Sequence, residues 1–505
     1  MERLTFNVGQ SRSGPLVVAG RDVRAAAQPA PVARATAHIA AVREKYDWDY
    51  LWMLAFTALL FFRPQDQIPG LQVLHLAELT AIAGLAAMAV RRLSAGQTIA
   101  KVNAEVAGVI TLGGVMLLTI PFSIWPGGST HVFSDIFVKI ILIFALMVST
   151  ISSPRRIRQM TWIMILASAY IAFRGCIDYA RGMNLVEGNR LRGSVGGMFE
   201  NPNDLALNLV TFMAPTLFIV IQDRKPSRRL AAAAMALVMF AAIVFTKSRS
   251  GFLGLVAMGA VVMYYTAKVK PAIVLAAIVA GVMAVPALPS TFWDRMDSIM
   301  NAEEDQTGSR AARLRLIDQG VEVFLENPIT GIGAGQFQNY NAPGVVEKWR
   351  VTHNVWLQVA SEIGVFGLIT FAFLVVRAFA ANMAALRLLR SPRRRRPRAD
   401  GGLRYAARGT PDAEDAAGGI PPSSLTDPDR AILDTNAKSM IAAMVGWTIC
   451  SLFASVAFNW TFYYVLALAV AGREMLAARR AAVKAAEAAA PISAVPRSRL
   501  IRVHA

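Results

Sequence analysis

The sequence predicts an all-α polytopic membrane protein with about twelve transmembrane helices and one large periplasmic loop between helices 9 and 10. Three observations predict it. Apolar runs of membrane length recur from residue 48 to residue 476 of a 505-residue chain that is 55% hydrophobic and 17% charged, with a mean hydropathy of +0.44. The period-two alternation of an outer-membrane barrel is absent. The basic residues fall in short loops and tails between the apolar runs, which is the positive-inside pattern. That placement accounts for the net charge of +19 without a nucleic-acid partner.

The elements follow in order. Residues 1–47 are rich in Ala, Arg and Pro and hold no apolar core, so they read as a disordered basic cytoplasmic tail and not as a cleavable signal peptide. Nine spans occupy 48–288, at 48–62, 72–90, 104–123, 131–149, 159–177, 204–221, 230–246, 251–267 and 272–288. The periplasmic loop is 289–353, the tenth span 354–376 and the basic cytoplasmic loop 377–438, whose Pro-, Gly- and Arg-rich part at 391–437 is expected to be disordered. Two last spans at 439–457 and 460–476 precede a cytoplasmic tail at 477–505. With a cytoplasmic N-terminus, the loops carrying Arg91-Arg92, Arg155-Arg156-Ile157-Arg158, Arg224 to Arg229, Lys268 to Lys270 and Arg393 to Arg396 all fall on one side, together with the C-terminal tail. Cys176 and Cys450 lie in apolar segments and read as packing residues, with no framework for a disulfide or a metal. Inside the large loop, Ser309–Glu326 has the apolar spacing of an amphipathic helix, closed by Asn327-Pro328. A glycine-punctuated turn follows, Thr330-Gly331-Ile332-Gly333-Ala334-Gly335, too flexible for a buried helix or strand.

The outer side should be poor in Lys and Arg, so the arginines it does carry are candidates for function. Arg190 and Arg192 belong to Gly188-Asn189-Arg190-Leu191-Arg192-Gly193; Arg249 sits in the tight connection Lys247-Ser248-Arg249-Ser250; Arg310, Arg313 and Arg315 lie on the loop helix. A guanidinium keeps its charge and offers a fork of donors that matches phosphate oxygens. For Arg249 the competing reading is an arginine that merely snorkels to headgroups, and for Arg313 and Arg315 a solvated helix face. His353 stands at the start of a span, where an imidazole can exchange protons near neutral pH; the plainer reading is a histidine tolerated at the interface. Asn354 follows it, and Glu362 inside the span either hydrogen-bonds within the bundle or orients His353 from two turns away. No P-loop is present, and the Gly331/Gly333/Gly335 cluster follows a helix, so a dinucleotide fingerprint fails. His38, His75, His131, His353 and His504 are scattered without metal-ligand spacing.

Three blocks resemble the O-antigen ligase/O-antigen polymerase superfamily of multi-spanning bacterial inner-membrane glycosyltransferases. They are Arg190-Leu191-Arg192-Gly193 with Asn201-Pro202-Asn203-Asp204-Leu205-Ala206, then Ser248-Arg249-Ser250-Gly251, then Pro328, Gly331, Gly333 and Phe337 leading to His353-Asn354, with Glu362, Gly364 and Gly367 behind. The resemblance implies transfer of a glycan from an undecaprenyl-diphosphate carrier to an acceptor sugar hydroxyl at the periplasmic face, without metal or cofactor. The acceptor would be lipid A–core in a ligase, or another carrier-linked O-antigen or exopolysaccharide chain in a polymerase. It implies His353 as general base, Arg249 and one of Arg190 and Arg192 on the diphosphate, Arg310 as a further contact, and Asn354 and Glu362 in support; spacing to Gly193 favours Arg190. A transporter or flippase of lipid-linked saccharides is the alternative, but it would show related halves and charges near the midplane, and the sequence shows neither.

Overall fold

The computed structural model describes residues 47–68, 70–186, 189–193, 199–284, 309–340, 351–390, 420–421 and 424–489. The expected N-terminal tail, the greater part of the 391–437 insertion, and 285–308 and 341–350 of the expected periplasmic loop lie outside the described residues. The compact body spans Arg43–Lys484.

The helices are α1 (Trp48–Phe62), α2 (Leu76–Ser94), α3 (Ala104–Thr119), α4 (Pro126–Thr150), α5 (Pro154–Ala180), α6 (Pro202–Gln222), α7 (Pro226–Thr246), α8 (Arg249–Ala267), α9 (Pro271–Ala284), α10 (Ser309–Glu326), α11 (Val355–Leu389), α12 (Asp427–Ser451) and α13 (Trp460–Ala489). A two-stranded hairpin, β1 (Leu185–Val186) with β2 (Arg190–Leu191), lies between α5 and α6. A helix falls in each interval expected from hydropathy, yet among the described residues eight are long and apolar enough to cross a membrane: α3 (as Ala104–Phe122), α4 to α8, α11 and α13. The others fall short for stated reasons. α1 has 15 residues and the described part of α9 has 14, below the ~20 of a full crossing. α2 carries Glu78, Arg91 and Arg92, and α12 spends its first turns on Asp427, Asp429, Arg430, Asp434 and Lys438.

Polar residues start the helices where the sequence provides them. Asn103, Ser153, Asn201, Ser248, Asn354 and Thr426 each accept a backbone N–H of the first turn, a contact worth about 1 kcal/mol apiece. α6 and α13 form the interior, with 78% and 72% of their apolar stretches buried. α3, α7, α8 and α11 turn side chains such as Leu117, Leu237, Val256 and Phe366 outward, an apolar exterior that suits lipid. α8 crosses α12 on small residues: a Cβ at Gly254 would overlap Cys450 Sγ, and one at Gly446 would press on Val210 of α6.

The two ends of the bundle differ. The end that holds the starts of α1, α3 and α5 is tied by ion pairs. Arg91 Nε lies 2.7 Å from the buried Asp49, and Arg156 Nη2 2.6 Å from Asp47. Glu105, fully buried, takes Arg377 and Arg473 at 2.6 Å each, joining α3, α11 and α13.

The opposite end is built on a break in α11. Ile363 (φ −131°, ψ 16°) and Gly364 (φ 69°, ψ −169°) leave the helix, which frees backbone groups that lipid cannot satisfy. The glycine turn satisfies them. Ile332 N–H donates to Ser361 O at 2.9 Å, Gly333 N–H to Glu362 O at 2.8 Å, and Val365 N–H to Pro328 O at 2.8 Å. The far side of the turn is held by the segment between α3 and α4: Ile124 N–H donates to Ile332 O at 3.0 Å, and Ser129 Oγ to Ala334 O at 3.2 Å. Side chains would block this approach. A Cβ on Gly331 would strike the Glu362 backbone, and one on Gly364 would strike Ile329 O. The turn forms neither helix nor strand, as expected, yet it is buried from Gly331 to Ala334, its glycines used for backbone-to-backbone contact. α10 packs beside it, with Leu316 and Val323 buried against Ile332 and Phe337.

Replacing Gly364 by Ala adds a Cβ where backbone already stands and forces a nearly glycine-only conformation, at a cost on the order of 3 kcal/mol. The Gly364→Ala protein should melt several degrees below wild type in the same detergent. An unchanged melting temperature would remove the interlock from the account.

Candidate active site

Only Lys247 and Ser248 join α7 to α8. Lys247 takes a left-handed conformation (φ 47°), and Ser248 caps α8 by accepting Gly251 N–H at 3.1 Å. Arg249 is thereby the first residue of α8, half-buried at the helix start and flanked by two buried serines whose hydroxyls lie 3.0 Å apart. The small-residue crossing of α8 and α12 continues to this point, since Cys450 Sγ meets Ser250 O at 3.3 Å.

The hairpin brings Arg190 to the same connection. Arg190 is buried; its Nε donates to Thr246 O at 3.1 Å and its Nη2 to Asn203 Oδ1 at 2.9 Å. Asn203 Oδ1 also accepts Ser248 Oγ at 2.8 Å, so one amide oxygen uses both lone pairs to join the hairpin, the start of α6 and the α7–α8 turn. Arg192 differs. Its backbone N–H donates to Asn184 O at 3.0 Å, its side chain is half-buried, and among the described residues its guanidinium has no hydrogen bond or ion pair.

His353 is half-buried at this end of the bundle, immediately before α11, in a left-handed conformation (φ 48°) that histidine adopts more readily than most side chains. Ser455, between α12 and α13, fixes it: Ser455 Oγ accepts His353 N–H at 2.9 Å and pairs with Thr352 Oγ1 at 2.9 Å. Asn354 is the α11 cap, its Oδ1 accepting Trp356 N–H at 2.9 Å and Leu357 N–H at 3.2 Å. Glu362 is buried and accepts Gly335 N–H at 2.8 Å, so of the two roles left open for it the structure supports hydrogen bonding within the bundle: it holds the glycine turn. Arg310 is the second residue of α10, and its side chain lies outside the described residues, as does that of Arg313; Arg315 is exposed. His75 and His131 are exposed and face carboxylates of their own segments, Glu78 at 3.4 Å and Asp135 at 3.0 Å.

A cavity of about 790 Å³ opens at this end of the bundle, lined by neighbours of these groups and not by Arg190, Arg249 or His353 themselves. Apolar residues of α1, α2 and α4 line much of it, among them Phe56, Leu60, Ile82, Leu85 and Leu142, with Arg63 and Lys139 also in its wall. Asp204, Gly335, Gln358 and Ser455 line it too, so the wall includes the neighbour of Asn203, the residue bound to Glu362 and the residue that holds His353. Asp204, Gln358 and Ser455 were not singled out for the site from the sequence. Asp204 had a signal, as a carboxylate one residue beyond Pro202-Asn203 in the first turn of an apolar helix. Ser455 had none, because its partner is distant in the chain. The arrangement offers an imidazole on an anchored backbone, one guanidinium at a helix start with another beside the same turn, and an apolar cavity with polar groups in its wall.

No curated protein matches the chain. Residues 210–372 match the family described as O-antigen ligase, a stretch that contains Arg249, Arg310, His353 and Glu362 and begins just after the hairpin and the start of α6. Over this segment the chain is similar to the O-antigen ligase family, in keeping with the sequence blocks that resemble it.

Proposed function

We propose that the protein is a glycosyltransferase that moves or polymerises glycan from an undecaprenyl-diphosphate donor onto an acceptor sugar hydroxyl at the periplasmic face of a bacterial inner membrane. The observation that carries this reading is the gathering of Arg190, Asn203, Ser248 and Arg249 at the bundle end that also holds His353 and opens into the apolar-walled cavity. Lipid A–core or a second carrier-linked chain would serve as acceptor, which makes the enzyme an O-antigen ligase in the first case and an O-antigen or exopolysaccharide polymerase in the second.

In the proposed reaction the acceptor oxygen attacks the anomeric carbon and the bond from that carbon to the diphosphate breaks. The electron pair leaves with the carrier diphosphate, and the acceptor proton passes to the His353 imidazole. Arg249 stabilises the charge that develops on the leaving group, helped by the positive end of the α8 dipole. Arg190, committed to Thr246 and Asn203, orients the pocket wall, while Arg192, whose guanidinium has no hydrogen bond or ion pair among the described residues, turns its donors to phosphate oxygens. The Ser455 contact and the left-handed conformation hold the His353 backbone in place at the start of α11, which limits where the imidazole can lie.

Two variants test the assignment in a purified transfer assay with a defined undecaprenyl-diphosphate oligosaccharide. His353→Ala should abolish transfer, as should His353→Asn, which tolerates the left-handed backbone, while the His353→Asn protein keeps the wild-type melting temperature. Full activity in either would remove His353 from the chemistry. Arg249→Lys keeps the charge but loses the planar fork and should lower kcat about 100-fold. Unchanged kinetics there would rule out two-point contact with the diphosphate.

A further inference from the structure

A second cavity, of about 260 Å³, lies at the end of the bundle opposite Arg249 and His353, between α5, α6 and α12. Its composition is unlike that of the first. Trp162, Phe218, Ile219 and Ile432 provide apolar walls, and four cations line it: Arg158, Arg224, Lys225 and Arg228. One carboxylate, Asp223, faces them, with its Oδ2 3.8 Å from Arg228 Nη1 and its Oδ1 accepting Lys225 N–H at 2.8 Å. Asp434, on the adjoining turn of α12, is already paired with Lys438. Among the described residues the side chains of Arg158, Arg224 and Lys225 have no hydrogen bond or ion pair. The cavity therefore keeps an excess of positive charge.

A second observation points to a ligand. Asn436 also lines the cavity, at 5% exposure. Its Nδ2 donates to Leu468 O at 3.1 Å, but its buried Oδ1 has no partner. A buried amide oxygen left unpaired is costly, and an occupant carrying a hydroxyl would satisfy it. The neighbouring Thr435 hydroxyl is already used on Gln222 Oε1, at 3.0 Å.

We propose that this cavity binds the headgroup of an anionic glycerophospholipid with a hydroxylated headgroup, phosphatidylglycerol being the chemical type. The phosphodiester sits among Arg158, Arg224, Lys225 and Arg228, a headgroup hydroxyl donates to Asn436 Oδ1, and the acyl chains run along the apolar flank of α5 and α6. Basic pockets between transmembrane helices on one side of a membrane are suited to anionic headgroups, because the charge is neutralised while the chains stay in hydrocarbon. The site is separate from the proposed catalytic groups and does not depend on the reaction assigned to them.

The test uses the full chain in phosphatidylcholine nanodiscs, with phosphatidylglycerol or soluble glycerol 3-phosphate added, read by melting temperature and by native mass spectrometry. Phosphatidylglycerol should raise the melting temperature of wild type and leave a single lipid bound per chain, whereas glycerol 3-phosphate should do neither. The Arg158→Gln/Arg224→Gln/Arg228→Gln protein should lose at least half of the shift. An Arg181→Gln/Arg387→Gln/Arg390→Gln protein, which loses equal charge from exposed positions outside the cavity lining, should keep it all. Asn436→Ala should weaken lipid retention without removing charge. Arg224→Gln, changing one exposed side chain that is unpaired among the described residues, serves as the mildest variant and should still lower the bound-lipid count. The proposal is overturned if the cavity variants retain the full shift, if both triple variants lose it equally, or if glycerol 3-phosphate alone reproduces it.

Discussion

The interlock between the glycine turn and the broken helix α11 is the constraint on which this end of the molecule depends. A helix in hydrocarbon cannot drop backbone hydrogen bonds without replacement. Here Ile332, Gly333 and Pro328 replace those that α11 gives up at Ile363 and Gly364. The exchange fixes the N-terminal part of α11, and with it the Asn354 cap and His353 just beyond it. It also places Gly335 where Glu362 can hold it, so a buried carboxylate is spent on backbone and the turn becomes part of the cavity wall. Glycine is demanded at Gly331 and Gly364 by proximity as much as by dihedral angle.

Two further devices bring the other groups to that end. Asn203 joins the hairpin, the start of α6 and the α7–α8 turn through one oxygen, which carries Arg190 to Arg249's side of the bundle. The close crossing of Gly254 with Gly446 and Cys450 sets how near the start of α8 comes to the end of α12, and Ser455 lies a few residues further on. Packing of small residues thus decides the spacing of groups that the proposed reaction uses together. The far end of the bundle is held by charge instead, through Glu105 with Arg377 and Arg473 and through the pairs on Asp47 and Asp49.

Hydropathy made the helical class and the place of each long helix legible, because a continuous apolar run has few other uses. It placed spans at α2 and α12, which by length and composition are not among the eight apolar helices of the described residues, because Arg91, Arg92 and the charged first turns of α12 sit at the ends of otherwise apolar segments. The candidate site was legible where the chemistry is local: Arg249 beside a tight turn between two apolar runs, and His353 with Asn354 at the start of another. It was not legible where the partner is remote. Nothing near Glu362 in the chain announces Gly335, and nothing near His353 announces Ser455. The burial of the glycine turn was not legible for the same reason. Glycines signal both flexibility and close contact, and only the facing backbone of α11 distinguishes the two.

The central claim is that the groups at this end of the bundle transfer glycan and do not merely conduct a lipid-linked saccharide. Mass analysis of the products of purified wild-type protein tests it most directly, with a defined undecaprenyl-diphosphate oligosaccharide and both lipid A–core and carrier-linked acceptors offered. The account predicts glycan joined to one acceptor class and an equal amount of undecaprenyl diphosphate released. Donor recovered intact with every acceptor, from protein that melts cooperatively and moves the donor between leaflets, would contradict it.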